Sequence, residues 1–205
     1  GWQTIERSLI KHGWDYTLIV GTWVGYASKL LDLYDYLISG AEDETDLIMY
    51  SDSYDSIMLA SPEEVLGKYH THLAIRTPNN KGILWYAERA CWPHTELESQ
   101  YPAAPTPYKH LNGGGFIATP QQIIKLIELK PVVASAEFND QAHNTDIFLN
   151  HNDQANIQLD YYCEIFQCMA HAGEDDFSVV NGRVKNNITG TMPCCLHFNG
   201  HCFND

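Results

Sequence analysis

Asp52 and Asp55 close the stretch Leu47-Ile48-Met49-Tyr50-Ser51-Asp52-Ser53-Tyr54-Asp55, where an apolar run stops abruptly and delivers two carboxylates. A short apolar segment bounded by turn signals reads as a buried, central strand, and acids at its carboxyl end would lie where open α/β sheets bind ligands. Two carboxylates there suit a hard divalent ion. Oxygens of a diphosphate and one further side chain would complete a six-coordinate site. The plainer alternative is that Asp52 caps a turn and Asp55 is solvated, the usual state of an isolated Asp-x-x-Asp.

Near the C-terminus, His197-x-Asn199-Gly200 follows a strand-like run, so His197 could add a nitrogen ligand from across the sheet. An imidazole ligand tilts the ion from Mg²⁺ to Mn²⁺. Asn199 and the Gly200 backbone would then face phosphate, although a lone histidine more often serves packing and hydrogen bonding. Asn112-Gly113-Gly114-Gly115 precedes the expected strand Phe116 to Ala118. It is no phosphate loop, because Gly-Lys-Ser/Thr does not follow; it either lets backbone approach a ligand closely or makes a tight bend. Trp92 could offer a sugar a flat apolar face or simply pack beside Pro93. Asp140-Gln141 could orient an acceptor hydroxyl or merely begin a polar helix. Glu88, at the end of an expected strand, is the remaining candidate.

The elements that must position these residues alternate between two periodicities. Helices are expected over Thr4 to Lys11, from Ser28 as cap through Leu30, Leu33, Tyr34 and Leu37, and over Asp140 to Leu149. Ser61-Pro62-Glu63-Glu64 and Thr119-Pro120-Gln121-Gln122 both carry the signature of a capped helix start with proline in the first turn. Strands are expected at Tyr16 to Val20, Ile83 to Ala87, Phe116 to Ala118, Gln158 to Tyr162 and Glu164 to Met169. Asn181-Gly182 signals a hairpin. Strands alternating with helices, with antiparallel pairing late in the chain, indicate an α/β fold.

A chain of 205 residues, 44% apolar and 12% aromatic, can bury a real core and reads as one domain. Its net charge of -14 arises from 12 basic and 26 acidic residues with no dense Lys/Arg block, which argues against nucleic acid and anionic membrane as partners. No apolar run is long enough to span a bilayer, and no stretch reads as a signal peptide. The six cysteines are scattered without a Cys-x-x-Cys pair, so neither a disulfide framework nor structural zinc is indicated. Asn187-Ile188-Thr189 is a glycosylation sequon that matters only in a secretory lumen.

Taken together and in order, six motifs resemble the glycosyltransferase domain of the procollagen lysyl hydroxylases, including the multifunctional type-3 enzyme and viral relatives. They are Asp52-Ser53-Tyr54-Asp55; Ala87-Glu88 with Cys91-Trp92-Pro93; Leu111-Asn112-x-Gly114-Gly115-Phe116-Ile117; Asp140-Gln141; Leu159-Asp160 with Ile165-Phe166-Gln167; and His197-x-Asn199-Gly200. The resemblance implies a GT-A-like, Rossmann-related α/β fold with a mixed central sheet. It also implies Mn²⁺-dependent, retaining transfer of glucose from UDP-glucose to galactosyl-hydroxylysine, or hydroxylysine, of a collagen-like polypeptide. By matching position, Asp52, Asp55 and His197 would ligate the metal, Trp23 and Tyr54 would contact uridine, and Lys29, Asn199 and Gly200 would lie near the diphosphate. Glu88, Trp92, Asn112, Asn139 and Asp140 would line the donor-sugar and acceptor side.

Three departures accompany the resemblance. The family's first nucleotide-binding strand would lie before Gly1, taking part of the uracil pocket with it. The acidic run that precedes Asp-Gln in the family is here Ser135-Ala136-Glu137-Phe138-Asn139-Asp140, and a phosphate-facing lysine is replaced by His201-Cys202-Phe203. Two other readings compete. One is a non-catalytic module that binds nucleotide sugar or collagen. The other is an Fe(II)/2-oxoglutarate hydroxylase using His151-x-Asp153 with His197 or His201, for which no later arginine is present to hold the 2-oxoglutarate carboxylate. A homodimer is the assembly considered. The compartment follows the source, a secretory-pathway lumen for a cellular member and host cytoplasm for a viral one.

Overall fold

The computed structural model describes residues 1–40, 42, 43, 46–76 and 82–200, with 72–76 as backbone only. Two helices come first, α1 (Gln3–Lys11) and α2 (Ala27–Ile38), followed by strands β1 (Ile48–Ser51) and β2 (Ser56–Met58). Next are α3 (Pro62–Arg76), β3 (Ile83–Glu88), β4 (His110–Ala118), α4 (Pro120–Leu129), α5 (Asp140–Asn150) and α6 (Asn152–Ala155). The remaining strands are β5 (Ile157–Leu159), β6 (Phe166–Cys168), β7 (Phe177–Val180), β8 (Arg183–Asn186) and β9 (Cys195–His197). His201, Cys202 and Phe203, the expected replacement for a phosphate-facing lysine, lie outside the described residues.

The strands form a four-stranded sheet in the order β1-β4-β3-β5, a three-stranded sheet β2-β9-β6 and the hairpin β7-β8. Pairing is mixed: β3 with β5 and β6 with β9 run parallel, whereas β4 runs antiparallel to both β1 and β3. Every residue of β3 is buried, Ile83 to Ala87 as their apolar run requires and Glu88 in spite of its charge. Its Trp85 packs tilted on Phe116 and its Tyr86 stacks on Phe166, with ring centroids 4.6 Å and 4.1 Å apart. Helix α2 packs on this core with Leu33 and Leu37, and Leu30 is buried at the same helical spacing.

Helix starts follow their sequence signals. Thr119 Oγ1 accepts from the Gln122 N–H, and Gln122 Oε1 accepts from the Thr119 N–H at 2.9 Å, a complete capping box. Asn139 Oδ1 accepts from the Ala142 N–H at 2.8 Å and caps α5. Asn181 and Gly182 take positive φ values of 52° and 75° at the hairpin turn.

Four expectations are corrected. Tyr16 to Val20 belongs to no strand; Val20 is 82% exposed, and among the described residues no backbone partner lies alongside. An extended segment becomes a strand only when a neighbour completes its ladder. β1 is the edge of its sheet and half-buried, where a buried central strand was expected, because among the described residues only β4 pairs with it. The glycine triplet lies inside β4, not before it. Ser28 is not a cap: its Oγ accepts from the Val24 N–H and donates to the Thr22 carbonyl, tying the preceding loop to the second residue of α2.

Two acids of unassigned role prove structural. Asp160, fully buried, accepts from the N–H groups of Glu164, Ile165 and Phe166 at 3.0, 2.8 and 2.9 Å and so shapes the β5–β6 turn. Glu64 takes two hydrogen bonds from Arg183, at 2.9 and 3.0 Å, and an ion pair from Lys68 at 3.0 Å, joining α3 to β8. Those partners, Arg183 foremost, hold its carboxyl at about 2, below the ordinary 4.5. A depressed carboxyl contributes its stability above the unfolded value and loses it as pH falls toward the folded one. Thermal melts should therefore place Glu64→Gln below wild type by about 2–4 °C at neutral pH, as expected for about 1 kcal/mol. The gap should close as pH drops from 4.5 toward 2.

Candidate active site

The site forms where the two larger sheets meet. β1 ends at Ser51, and the next peptide extends its register: the Asp52 N–H donates to the Gly114 carbonyl at 2.8 Å. The chain then turns through Ser53 and Tyr54 into β2, which pairs antiparallel with β9 so that Ser56 faces His197. The Phe198 N–H donates to the Asp55 carbonyl at 2.7 Å, locking the two segments side by side. One ligand atom from each of Asp52, Asp55 and His197 lies within 4.8 Å of the others. His197 Nε2 stands 3.2 Å from Asp55 Oδ2 and 3.8 Å from Asp52 Oδ2. Neighbouring ligands of an octahedral ion with bonds of 2.0–2.2 Å are about 3 Å apart, so small movements would let these three share one cation. Two carboxylates and an imidazole nitrogen fit Mn²⁺ in donor type.

Burial and charge act in opposite directions here. Burial pushes the Asp52 carboxyl up from its ordinary value, and the Lys29 ammonium pulls it back. Burial works the same way on Asp55, but the hydrogen bond and charge of His197 prevail and hold it low. Lys29 Nζ lies 2.8 Å from Asp52 Oδ1 and 2.8 Å from Asp140 Oδ2, bridging the end of β1 to the first residue of α5. Burial opposes its charge, yet the two carboxylates raise its pKa and keep it an ammonium.

A cleft of about 290 Å³ opens over these groups. It brings together Lys29, Asp52, Asp55, Glu88, Trp92, Asn112, Asp140, His197, Asn199 and Gly200 from the sequence candidates. Trp92, half exposed, stands at its rim. Trp23 and Tyr54 line instead a neighbouring cavity of about 1080 Å³ that shares Tyr26, Lys29, Asp52 and Asp55 with the cleft. Asn139 lines neither, its side-chain oxygen being committed to the α5 cap. Sequence reasoning missed Tyr26 and His171, which also line the cleft and carry no motif of their own. His151 and Asp153 join no group of three potential metal ligands among the described residues.

Beneath the cleft lies a buried polar floor. Glu88 Oε1 accepts from Asn112 Nδ2 at 2.9 Å and Gln141 Nε2 at 2.6 Å, and its Oε2 accepts from Asn199 Nδ2 at 2.9 Å. Burial raises the Glu88 pKa, and these three amides offset part of the rise. β4 packs tightly against these groups through its glycines. A Cβ on Gly114 would sit 2.2 Å from His197 Cε1 and 2.8 Å from Asn112 Oδ1, whereas one on Gly113 would meet nothing nearer than 3.3 Å.

A protein-family model described as PLOD GT domain matches residues 14–203. An uncharacterized protein, R699, of Acanthamoeba polyphaga mimivirus is 36% identical over 157 residues, covering 77% of this chain and 32% of that protein. Human procollagen-lysine,2-oxoglutarate 5-dioxygenase 1 is 30% identical over 193 residues, 92% of this chain and 25% of the relative. The human multifunctional procollagen lysine hydroxylase and glycosyltransferase LH3 is 31% identical over 189 residues, 88% of this chain and 24% of the relative. The chain thus spans about a quarter to a third of the length of these relatives.

Gly114→Ala should displace the His197 ring and weaken Mn²⁺ binding at least about tenfold, at an overpacking cost of about 1–3 kcal/mol. Gly113→Ala should weaken it less. Mn²⁺ titration followed by electron paramagnetic resonance, with melts run in parallel, checks the difference.

Proposed function

This chain belongs to the PLOD GT domain family, a family of glycosyltransferase domains, and we propose that it transfers glucose from UDP-glucose to galactosyl-hydroxylysine or hydroxylysine of a collagen-like polypeptide. In this reading Mn²⁺ is the cofactor and the donor's configuration is retained. The observation that carries it is the convergence of Asp52, Asp55 and His197 beside the Lys29–Asp140 ion pair at one cleft. The names of the relatives, one of them both a lysine hydroxylase and a glycosyltransferase, support the collagen-like acceptor.

Each part of the cleft has work in this reaction. A cation held by Asp52, Asp55 and His197 would supply positive charge against the diphosphate leaving group. Lys29 adds a second positive charge there, and Asn199 and the Gly200 backbone face the same oxygens. Trp23 and Tyr54, on the neighbouring cavity, receive the uridine. Trp92 offers its exposed face to sugar. A retaining transfer needs no strong base opposite the leaving group, so Asp140 orients the acceptor or stabilises charge near the donor carbon. Its Oδ1 accepts from the Gln141 N–H at 2.9 Å while Oδ2 contacts Lys29, which fixes the carboxylate plane.

A non-catalytic sugar-binding module remains the competitor, favoured by one observation: Asn139 spends its side chain on a helix cap. Incubation with Mn²⁺, UDP-glucose and a collagen peptide bearing galactosyl-hydroxylysine should add one hexose to the peptide mass. Asp55→Ala should reduce the rate by about 100-fold or more, the usual scale for removing charge stabilisation. Asp140→Asn should slow transfer while leaving UDP-glucose affinity near wild type. UDP binding without any hexose gain would favour the module, and full activity in Asp140→Asn would remove the role given to that residue.

A further inference from the structure

Asn112 is usually the kind of residue one would aim at a substrate hydroxyl, but its side chain has no capacity left for one. An amide side chain can accept two hydrogen bonds and donate two. Its Oδ1 is 2.8 Å from the Gly114 N–H and 3.0 Å from His197 Nδ1; its Nδ2 is 2.9 Å from Glu88 Oε1 and 3.4 Å from Gln141 Oε1. All four positions are taken, and the residue is only 3% exposed.

The orientation of this amide is fixed by its neighbours. A peptide N–H can only donate, so the end of the side chain facing Gly114 is the oxygen. Gln141 is set in the same manner, its Oε1 accepting from the Gly113 N–H at 2.9 Å and its Nε2 donating to the Trp92 carbonyl at 2.9 Å. The backbone under Asn112 is also held, since Trp85 Nε1 donates to the Asn112 carbonyl at 2.7 Å. With an oxygen opposite it, His197 Nδ1 must carry a proton. Nε2 is then the nitrogen turned toward Asp55 and Asp52.

We infer that Asn112 is a positioning residue that fixes the tautomer and ring direction of His197 for cation binding, with Glu88 as the clamp that holds Asn112 in place. This assignment rests on the cation site proposed above and deepens it: the donor sugar would be read by other groups, and Asn112 would act on the reaction only through His197. Groups that orient a ligand histidine in this manner typically change metal affinity by about 10–100-fold when removed.

The test combines imidazole ¹⁵N–¹H correlation spectroscopy on the wild-type protein with Mn²⁺ titration of wild type, Asn112→Leu and Glu88→Gln. Wild-type His197 should carry a proton on Nδ1 both without metal and with Mg²⁺. Both variants should bind Mn²⁺ about 10–100-fold more weakly, and in Asn112→Leu the UDP-glucose affinity at saturating Mn²⁺ should change far less. If Asn112→Leu does not fold, the wild-type spectrum and Glu88→Gln still decide. A bare Nδ1 in the wild type, or wild-type Mn²⁺ affinity in a folded variant, would overturn the positioning role alone. Absence of Mn²⁺ binding by the wild type would instead overturn the cation site itself.

Discussion

The pairing of β2 with β9 is the constraint on which the site depends. Asp55 and His197 are remote in sequence, and what brings them together is a short ladder in which Ser56 faces His197 and the Phe198 N–H reaches the Asp55 carbonyl. β9 is itself the middle strand of its sheet, flanked by β6, so His197 is held from both sides. The other carboxylate arrives by a different route, through the register of Asp52 with Gly114 at the end of the β1–β4 ladder. A site assembled from two sheets inherits the rigidity of both, which is what a constellation of ligands needs in order to be preorganised.

Burying polar side chains under such a site is costly unless each finds its partners. Glu88, Asn112, Gln141 and His197 are all buried, and each is satisfied by another member of the group or by backbone. The glycines of β4 make room for this network at the expense of strand propensity, and the loss is compensated by the aromatic packing of Trp85, Tyr86 and Phe116 next to them. Lys29 balances the acids at the mouth of the cleft. The same arrangement that stabilises the metal-free carboxylates provides the positive charge that a diphosphate would meet.

Much of this arrangement is legible in the sequence. The stop of the apolar run at Asp52 marked a strand end because polar turn chemistry follows it directly, and the capping box at Thr119 and the Asn181-Gly182 turn are local codes that do not depend on distant partners. What could not be read was pairing. Tyr16 to Val20 has a strand's composition without a strand's neighbour, and nothing within Leu47 to Ser51 distinguishes an edge strand from a central one. Ser28 looked like a cap because serine at a helix start usually is one; its hydroxyl was taken by the loop before it. Asn112 and Asn139 show the same limit within the site, since the residue type permits a ligand contact, a cap or a positioning bond, and only the neighbours choose.

The most direct test of the account is the position of the cation in crystals of the protein grown with Mn²⁺ and UDP, read from anomalous diffraction at the manganese edge. One manganese is expected, bound by carboxylate oxygens of Asp52 and Asp55 and by His197 Nε2, with diphosphate oxygens completing its shell. Manganese bound elsewhere, or bound through His197 Nδ1, would contradict it.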